Sequence, residues 1–247
     1  MSRIPAPAGE QRYQRRKREE RESDVWMRQV QAIGTPDPGS MWVHVGDRGA
    51  DMFPFFQACQ ATQTHFLVRA AQNRRVQQDE AEITYSLKCA RAFPSQASRP
   101  FEVPARHGHQ ARSTQLQLAF GQMTLLPPRH EPRAGKDPVT VWVMRVWEEQ
   151  APEGEEPLEW ILVTSVPTTT LEHAWERVDW YRHRWLVEDY HQCLKSGCRI
   201  EERQLQTVDG LMRRLGSVVA SCRAAVRRYV RWRVKIQSAR RTRSLSL

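Results

Sequence analysis

Four residues late in the chain combine types and spacing suited to phosphoryl chemistry. Tyr181, Arg184, Glu188 and Lys195 follow one another at intervals of three, four and seven. On an α-helix these offsets fall within an arc of about 60°. Leu186, Val187, Tyr190 and Leu194 fall on the opposite side, the side expected to pack. An acid, two cations and a phenol would then project together. A solvated face laced with helix-spaced ion pairs has the same pattern, and such pairs contribute only about 0.3 to 0.5 kcal/mol each. A site needs a second acid, and Asp47 is the leading candidate. One carboxylate at a strand end and another on a distant helix can hold Mg²⁺, a hard cation that prefers oxygen ligands and keeps open positions. Two such ions can activate a water and stabilise the leaving oxygen of a phosphodiester. Arg184 would then meet phosphate as a bidentate fork and Lys195 as a point charge.

The elements around these residues must bring them together. Met41 to Val45 is an apolar run that reads as a buried strand, and Gly46 to Asp51 is a polar loop. Met52 to Ala61 reads as a helix that tolerates Pro54 in its first turn, and His65 to Arg69 as a second strand. This is a βαβ-type unit. It puts Asp47 at the C-terminal end of a strand, where ligands gather in open α/β sheets. Asp51 is either a second ligand or an acid at the helix N-terminus. Upstream, Trp26, Val30 and Ile33 share one helical face, stopped by Pro36 to Gly39. From Ile83 to Trp147 short β-rich runs recur (101–103, 114–120 and 139–146), the texture of a mainly antiparallel region. Leu158 to Ser165 is a strong strand. The strongest helix begins near Thr169, with Thr169 and Glu172 spaced as a capping box and Leu171, Ala174, Trp175 and Val178 as an apolar stripe. Its pattern runs to about Lys195, where Ser196-Gly197 ends it.

Composition narrows the classes. With 247 residues, 40% hydrophobic and nine Trp, the chain can bury a sizeable core, so wholesale disorder is excluded. No stretch approaches the roughly 18 apolar residues of a membrane span. The charged N-terminus has no apolar signal core. Five scattered Cys suit a reducing cytoplasm, and Cys193 and Cys198 have no matching pair for zinc. His107 and His109 lack partners at metal-ligand spacing. The net charge of +10 is unevenly placed: residues 211–247 carry ten Arg, one Lys and no acid, whereas residues 1–210 carry 27 basic and 28 acidic side chains. A general argument from basicity to nucleic-acid binding therefore applies to the tail alone.

The residues resemble a known family. Tyr181, Arg184, Glu188 and Lys195, with their surroundings from Trp180 to Cys198 and Glu201 to Leu205, resemble the YREK signature of the insertion-sequence-4 family of bacterial DDE transposases. Val45 to Asp51 resembles that family's segment around the second catalytic aspartate, and Glu156 to Ser165 the strand before the signature helix. The resemblance spans about residues 23 to 212.

It implies an α/β fold, a ribonuclease-H-like catalytic core interrupted by a mainly antiparallel β insertion. The corresponding segments are a helical lead-in over 1–40, the first part of the core over 41–82, the insertion over 83–157, the second part with the signature helix over 158–212, and a basic tail over 213–247. It also implies Mg²⁺ held by an Asp-Asp-Glu triad, with Mn²⁺ able to substitute, nicking at transposon ends, and strand transfer by the freed 3′-hydroxyl. Asp47 and Glu188 would be the metal-binding and catalytic acids. Tyr181, Arg184 and Lys195 would grip phosphates. Trp160 would stack a flipped base, or else serve as a core aromatic on a buried strand. The partner is double-stranded DNA, engaged by a homodimer in the bacterial cytoplasm. The family's first aspartate and N-terminal DNA-binding region find no counterpart here, which implies an incomplete copy. The arginine-rich tail replaces the family's apolar helical segment, as a frameshift or as a DNA-contacting extension. The alternative function is a non-catalytic DNA-binding remnant, or an inhibitor of an intact relative.

Overall fold

Alternation of apolar residues at period two builds one mixed sheet through most of the described chain. The computed structural model describes residues 24–77, 83–103, 111–131 and 134–184. The chain divides into two compact units, Met1–Tyr181 and Arg182–Leu247, and the sheet belongs to the first. Its strands are β1 (Val43–Gly46), β2 (His65–Arg69), β3 (Arg75–Gln77), β4 (Ile83–Tyr85), β5 (Ala97–Val103), β6 (Arg112–Leu125), β7 (Val139–Glu148) and β8 (Glu159–Thr164). They lie in the order β1-β2-β8-β7-β6-β3-β4, with β5 paired to β6 beyond the reach of β3. β1 and β2 run parallel with Val43 opposite His65; the other pairings are antiparallel. Among the described residues β1 is an edge strand paired to β2 alone.

Strict alternation sends side chains to two cores. Phe66 and Val68 of β2, Ile161 and Val163 of β8, and Val139, Val141 and Val143 of β7 face one side. Leu67, Leu162, Met144 and Val146 from the same strands face the other. The first face is covered by α1 (Asp24–Ile33), α2 (Phe53–Ala61) and α3 (Ser86–Ala92), through Val30, Phe53, Phe55, Phe56 and Ala90. Phe56 stacks on Phe66 with ring centroids 4.2 Å apart. Burying one such side chain contributes about 1.5 to 3 kcal/mol. The second face is covered by α4 (Leu171–Arg182), through Ala174, Val178 and Tyr181 at helical spacing.

The βαβ unit forms where the apolar runs place it, with β1 starting two residues later than the Met41–Val45 run and Pro54 within the first turn of α2. The β-rich region does not form a separate layer: β6 and β7 lie between β8 and β3 in the same sheet. One expectation about α4 is corrected. Its cap is Thr170, not Thr169: the Thr170 hydroxyl accepts the His173 N–H at 3.2 Å and its carbonyl accepts Ala174 N–H. With the start moved on by one residue, Glu172 no longer sits at the third helical position that a capping box requires. The helix closes at Arg182 and His183-Arg184 form a turn, and the rest of the pattern expected up to Lys195 lies outside the described residues. No helix among the described residues is long and apolar enough to cross a membrane.

Candidate functional site

The site is built on the connection between β1 and α2. β1 ends at Gly46, and the chain turns at once through a short 3-10 segment, Arg48–Ala50, capped by Asp47. The turn is tight because the residues at its base are small. A Cβ on Gly46 would lie 2.4 Å from Ala50 Cβ, and Ala50 is fully buried. A Cβ on Gly49 would lie 3.1 Å from Asp47 Oδ1. That same oxygen accepts the Gly49 N–H at 2.8 Å. One carboxylate oxygen of Asp47 is thus fixed by the backbone, which sets the side-chain direction. The other has no hydrogen-bond partner among the described residues, and Asp47 is exposed. A hard, oriented and accessible oxygen at the end of a parallel strand is what a cation or a phosphate-bound water would meet there.

Asp51, four residues on, has a different role. It is 4% exposed and saturated with donors. Its Oδ2 accepts the Ala71 and Gln72 N–H groups at 2.6 and 2.7 Å, and its Oδ1 accepts Arg74 Nη2 at 2.7 Å. Arg74 also donates to the Asp51 carbonyl. This clamp joins the loop after β1 to the loop after β2. It accounts for Asp51 as neither a helix-terminus acid nor a spare ligand. The sequence carried little signal for it, since the partners are 20 to 23 residues away.

His44 backs β1 beneath the site. Its ring meets Phe55 edge-on with centroids 6.3 Å apart, and its buried Nε2 has no partner among the described residues. Burial pushes its pKa below the ordinary imidazole value, so the ring stays neutral.

On the opposite face of the sheet, Trp160 is half-buried on β8. Phe101 meets it edge-on with centroids 5.7 Å apart, and Tyr181 lies tilted against it at 6.2 Å. Tyr181 is only 7% exposed, so its ring continues the apolar stripe of α4 instead of standing on a solvent face. The wheel that placed it with the polar residues assumed one helix from 181 to 195, whereas α4 closes at Arg182. Arg184 is half-buried in the turn that follows. Glu188 and Lys195 lie outside the described residues, so their distance from Asp47 is not given by the fold. Among the described residues no three His, Cys, Asp or Glu side chains cluster as a metal cage.

Cation–aromatic and ionic contacts that the sequence did not signal brace the second face. Arg99 of β5 lies over the Trp175 ring at 4.1 Å and pairs with Asp179, fastening α4 to the sheet. Glu148 at the end of β7 is buried against Arg112 and accepts the Thr114 hydroxyl at 2.7 Å.

The family model described as the transposase DDE domain matches residues 43–222. The match opens on the first residue of β1, takes in Asp47 and the whole described sheet, and covers well over half of the chain. The chain therefore belongs to the transposase DDE domain family.

Proposed function

We propose that this chain is a transposase of the insertion-sequence-4 type that cuts and joins DNA at the ends of its element, on a ribonuclease-H-like core. The observation that carries the reading is Asp47: an exposed carboxylate, aimed by its own turn, at the end of the strand on which the transposase match begins. The donor set fits a divalent ion in part. Asp47 offers one unengaged oxygen to a hard cation, and Glu188 is the second acid of the proposal. Mg²⁺, or Mn²⁺ in its place, would supply activation of a water and charge neutralisation at the phosphodiester when bound.

The chain's own residues do the rest. Asp47 is held so that its free oxygen needs no reorganisation. Arg184 and Lys195 hold the phosphates flanking the cut, the first as a fork and the second as a point charge. Trp160 takes a base on its exposed part, and Tyr181 backs the indole. In hydrolysis a water oxygen bonds to phosphorus as the bond from phosphorus to the 3′-oxygen breaks, which frees a 3′-hydroxyl. That hydroxyl then bonds to a target phosphorus, and the target strand's 3′-oxygen leaves as its own hydroxyl. The partner is double-stranded DNA, gripped by two copies of the chain.

Mn²⁺ binding read by electron paramagnetic resonance tests the pairing of the acids. If Asp47 and Glu188 share an ion, Asp47→Asn and Glu188→Gln each weaken binding at least tenfold, and the double variant loses little more than either single one. Independent, additive losses, or no loss in either variant, would overturn the shared site. Two carboxylates hold two ions poorly, so the chain alone should nick duplex DNA little or not at all; robust Mg²⁺-dependent nicking that Glu188→Gln abolishes would show that its acid set is complete.

A further inference from the structure

The turn that aims Asp47 does not hold its shape by itself. Arg48–Ala50 is a single 3-10 turn, and isolated turns of this kind have poor hydrogen-bond geometry and too few bonds to offset their ordering. Its ends must be fixed from outside. At the near end Gly46 lies against Ala50, whose side chain is fully buried. At the far end the next residue is Asp51, whose N–H donates to the Arg48 carbonyl at 3.3 Å. Whatever fixes Asp51 therefore also fixes the Gly49 N–H that orients the Asp47 carboxylate.

Arg74 fixes Asp51. Its Nη2 donates to the Asp51 carboxylate at 2.7 Å and to the Asp51 carbonyl at 2.6 Å, so side chain and backbone are held by one group. Nε adds a bond to Oδ1 at 3.2 Å. Arg74 is itself anchored to the core. Its N–H donates to Ser86 Oγ at 2.9 Å and its carbonyl accepts the Ser86 N–H at 2.7 Å, which ties it to the first residue of α3. Its guanidinium carbon stands 5.3 Å from the centroid of the Phe56 ring and 6.0 Å from that of Phe53, both buried rings of α2. Packed and bonded groups thus run from the core through Arg74 and Asp51 to the turn. We infer that Arg74 is a positioning residue for the divalent cation at Asp47: acting through Asp51, it presets the direction of the free Asp47 oxygen and so the affinity for the ion. Groups that orient a metal-binding side chain change affinity by about ten- to a hundredfold when lost. Lysine at this position would keep the charge but, as a point donor, could not hold carboxylate and carbonyl together. This inference rests on the reading of Asp47 as a cation ligand.

The test follows Mn²⁺ binding to the full chain by electron paramagnetic resonance, together with the rise in melting temperature that Mn²⁺ produces. Arg74→Lys should weaken Mn²⁺ binding at least tenfold and remove most of that rise. In an Asp47→Asn background the same change should have no further effect, because the oxygen it aims is gone. Glu148→Gln loosens a tie among β6, β7 and β8 that lies outside this path. It should lower the melting temperature yet leave Mn²⁺ binding within twofold of the parent, which separates positioning from general loosening. If Arg74→Lys does not melt cooperatively, Ser86→Ala carries the test. It removes only the hydroxyl that accepts the Arg74 N–H, and should weaken Mn²⁺ binding at least threefold. A folded variant that binds Mn²⁺ as tightly as the parent, an equal weakening in Glu148→Gln, or a weakening that persists undiminished in Asp47→Asn overturns the inference and leaves the cation at Asp47 intact. Mn²⁺ binding by the parent that does not depend on Asp47 overturns both.

Discussion

Two aspartates four residues apart show how placement divides one side-chain type between stability and chemistry. Among the described residues the Asp47 carboxylate accepts one hydrogen bond, from Gly49 N–H, and it remains exposed. Asp51 is buried with two backbone N–H groups and the Arg74 fork around it. A buried carboxylate stays charged only where donors replace the lost water, and removing it strands those donors. Asp51→Ala would leave the Arg74 guanidinium, 12% exposed, without its partner. We expect it to cost about 3 to 5 kcal/mol. Asp47→Asn keeps a capping oxygen, and Asn caps as well as Asp, so its cost should stay below about 0.5 kcal/mol. Urea unfolding of the two variants checks this order. Comparable losses would mean that Asp47 is a structural acid and not one kept available for a ligand.

At the scale of elements, Glu148 joins three strands. From the end of β7 it binds Arg112 and Thr114 of β6 and accepts the Leu158 N–H at the entry to β8. Arg112, foremost, lowers the Glu148 pKa from 4.5 to about 2. A carboxyl whose folded pKa is depressed stabilises the fold above its unfolded value and loses that contribution as pH falls toward the folded one. Unfolding midpoints of the parent chain should therefore fall between pH 4.5 and 2 more steeply than those of Glu148→Gln. Above pH 5 the variant should be the less stable of the two. Parallel pH profiles would show that the pair contributes nothing net. This tie also marks the limit of what the sequence discloses. The run from Met41 to Arg69 is legible because each element there carries a local signal: Val43 and Val45 for a strand, Gly46 and Gly49 for a turn, Pro54 for a helix start. β3 and β4 have three residues each, too few to display a period, and α3 has only seven. The Arg112–Glu148 and Arg74–Asp51 pairs span 36 and 23 residues. They depend on strand register, which no local pattern encodes. For the same reason Asp47 could be singled out from its strand end, while the fate of Asp51 could not.

For the molecule as a whole, the uneven charge determines where DNA affinity originates. Residues 1–210 are nearly neutral, with 27 basic and 28 acidic side chains, so a long-range field toward DNA cannot come from them. Beyond Cys222, where the transposase match ends, the chain carries eight Arg, one Lys and no acid. Each phosphate neutralised releases condensed counterions, and the slope of log affinity against log salt steepens by about 0.9 per contact on duplex DNA. If five of those nine cations reach phosphates, the full chain should show a slope steeper by about 4 to 5 than a chain ending at Cys222. The two affinities should converge near molar salt, where the counterion term fades. The folded region should then account for the affinity that persists. Equal slopes for the two chains would assign the salt-sensitive contacts to the matched domain and leave the basic extension without a part in binding. An offset that keeps the same size at every salt concentration would mean that the extension acts through the fold, because a charge effect must diminish as the counterion gradient is removed.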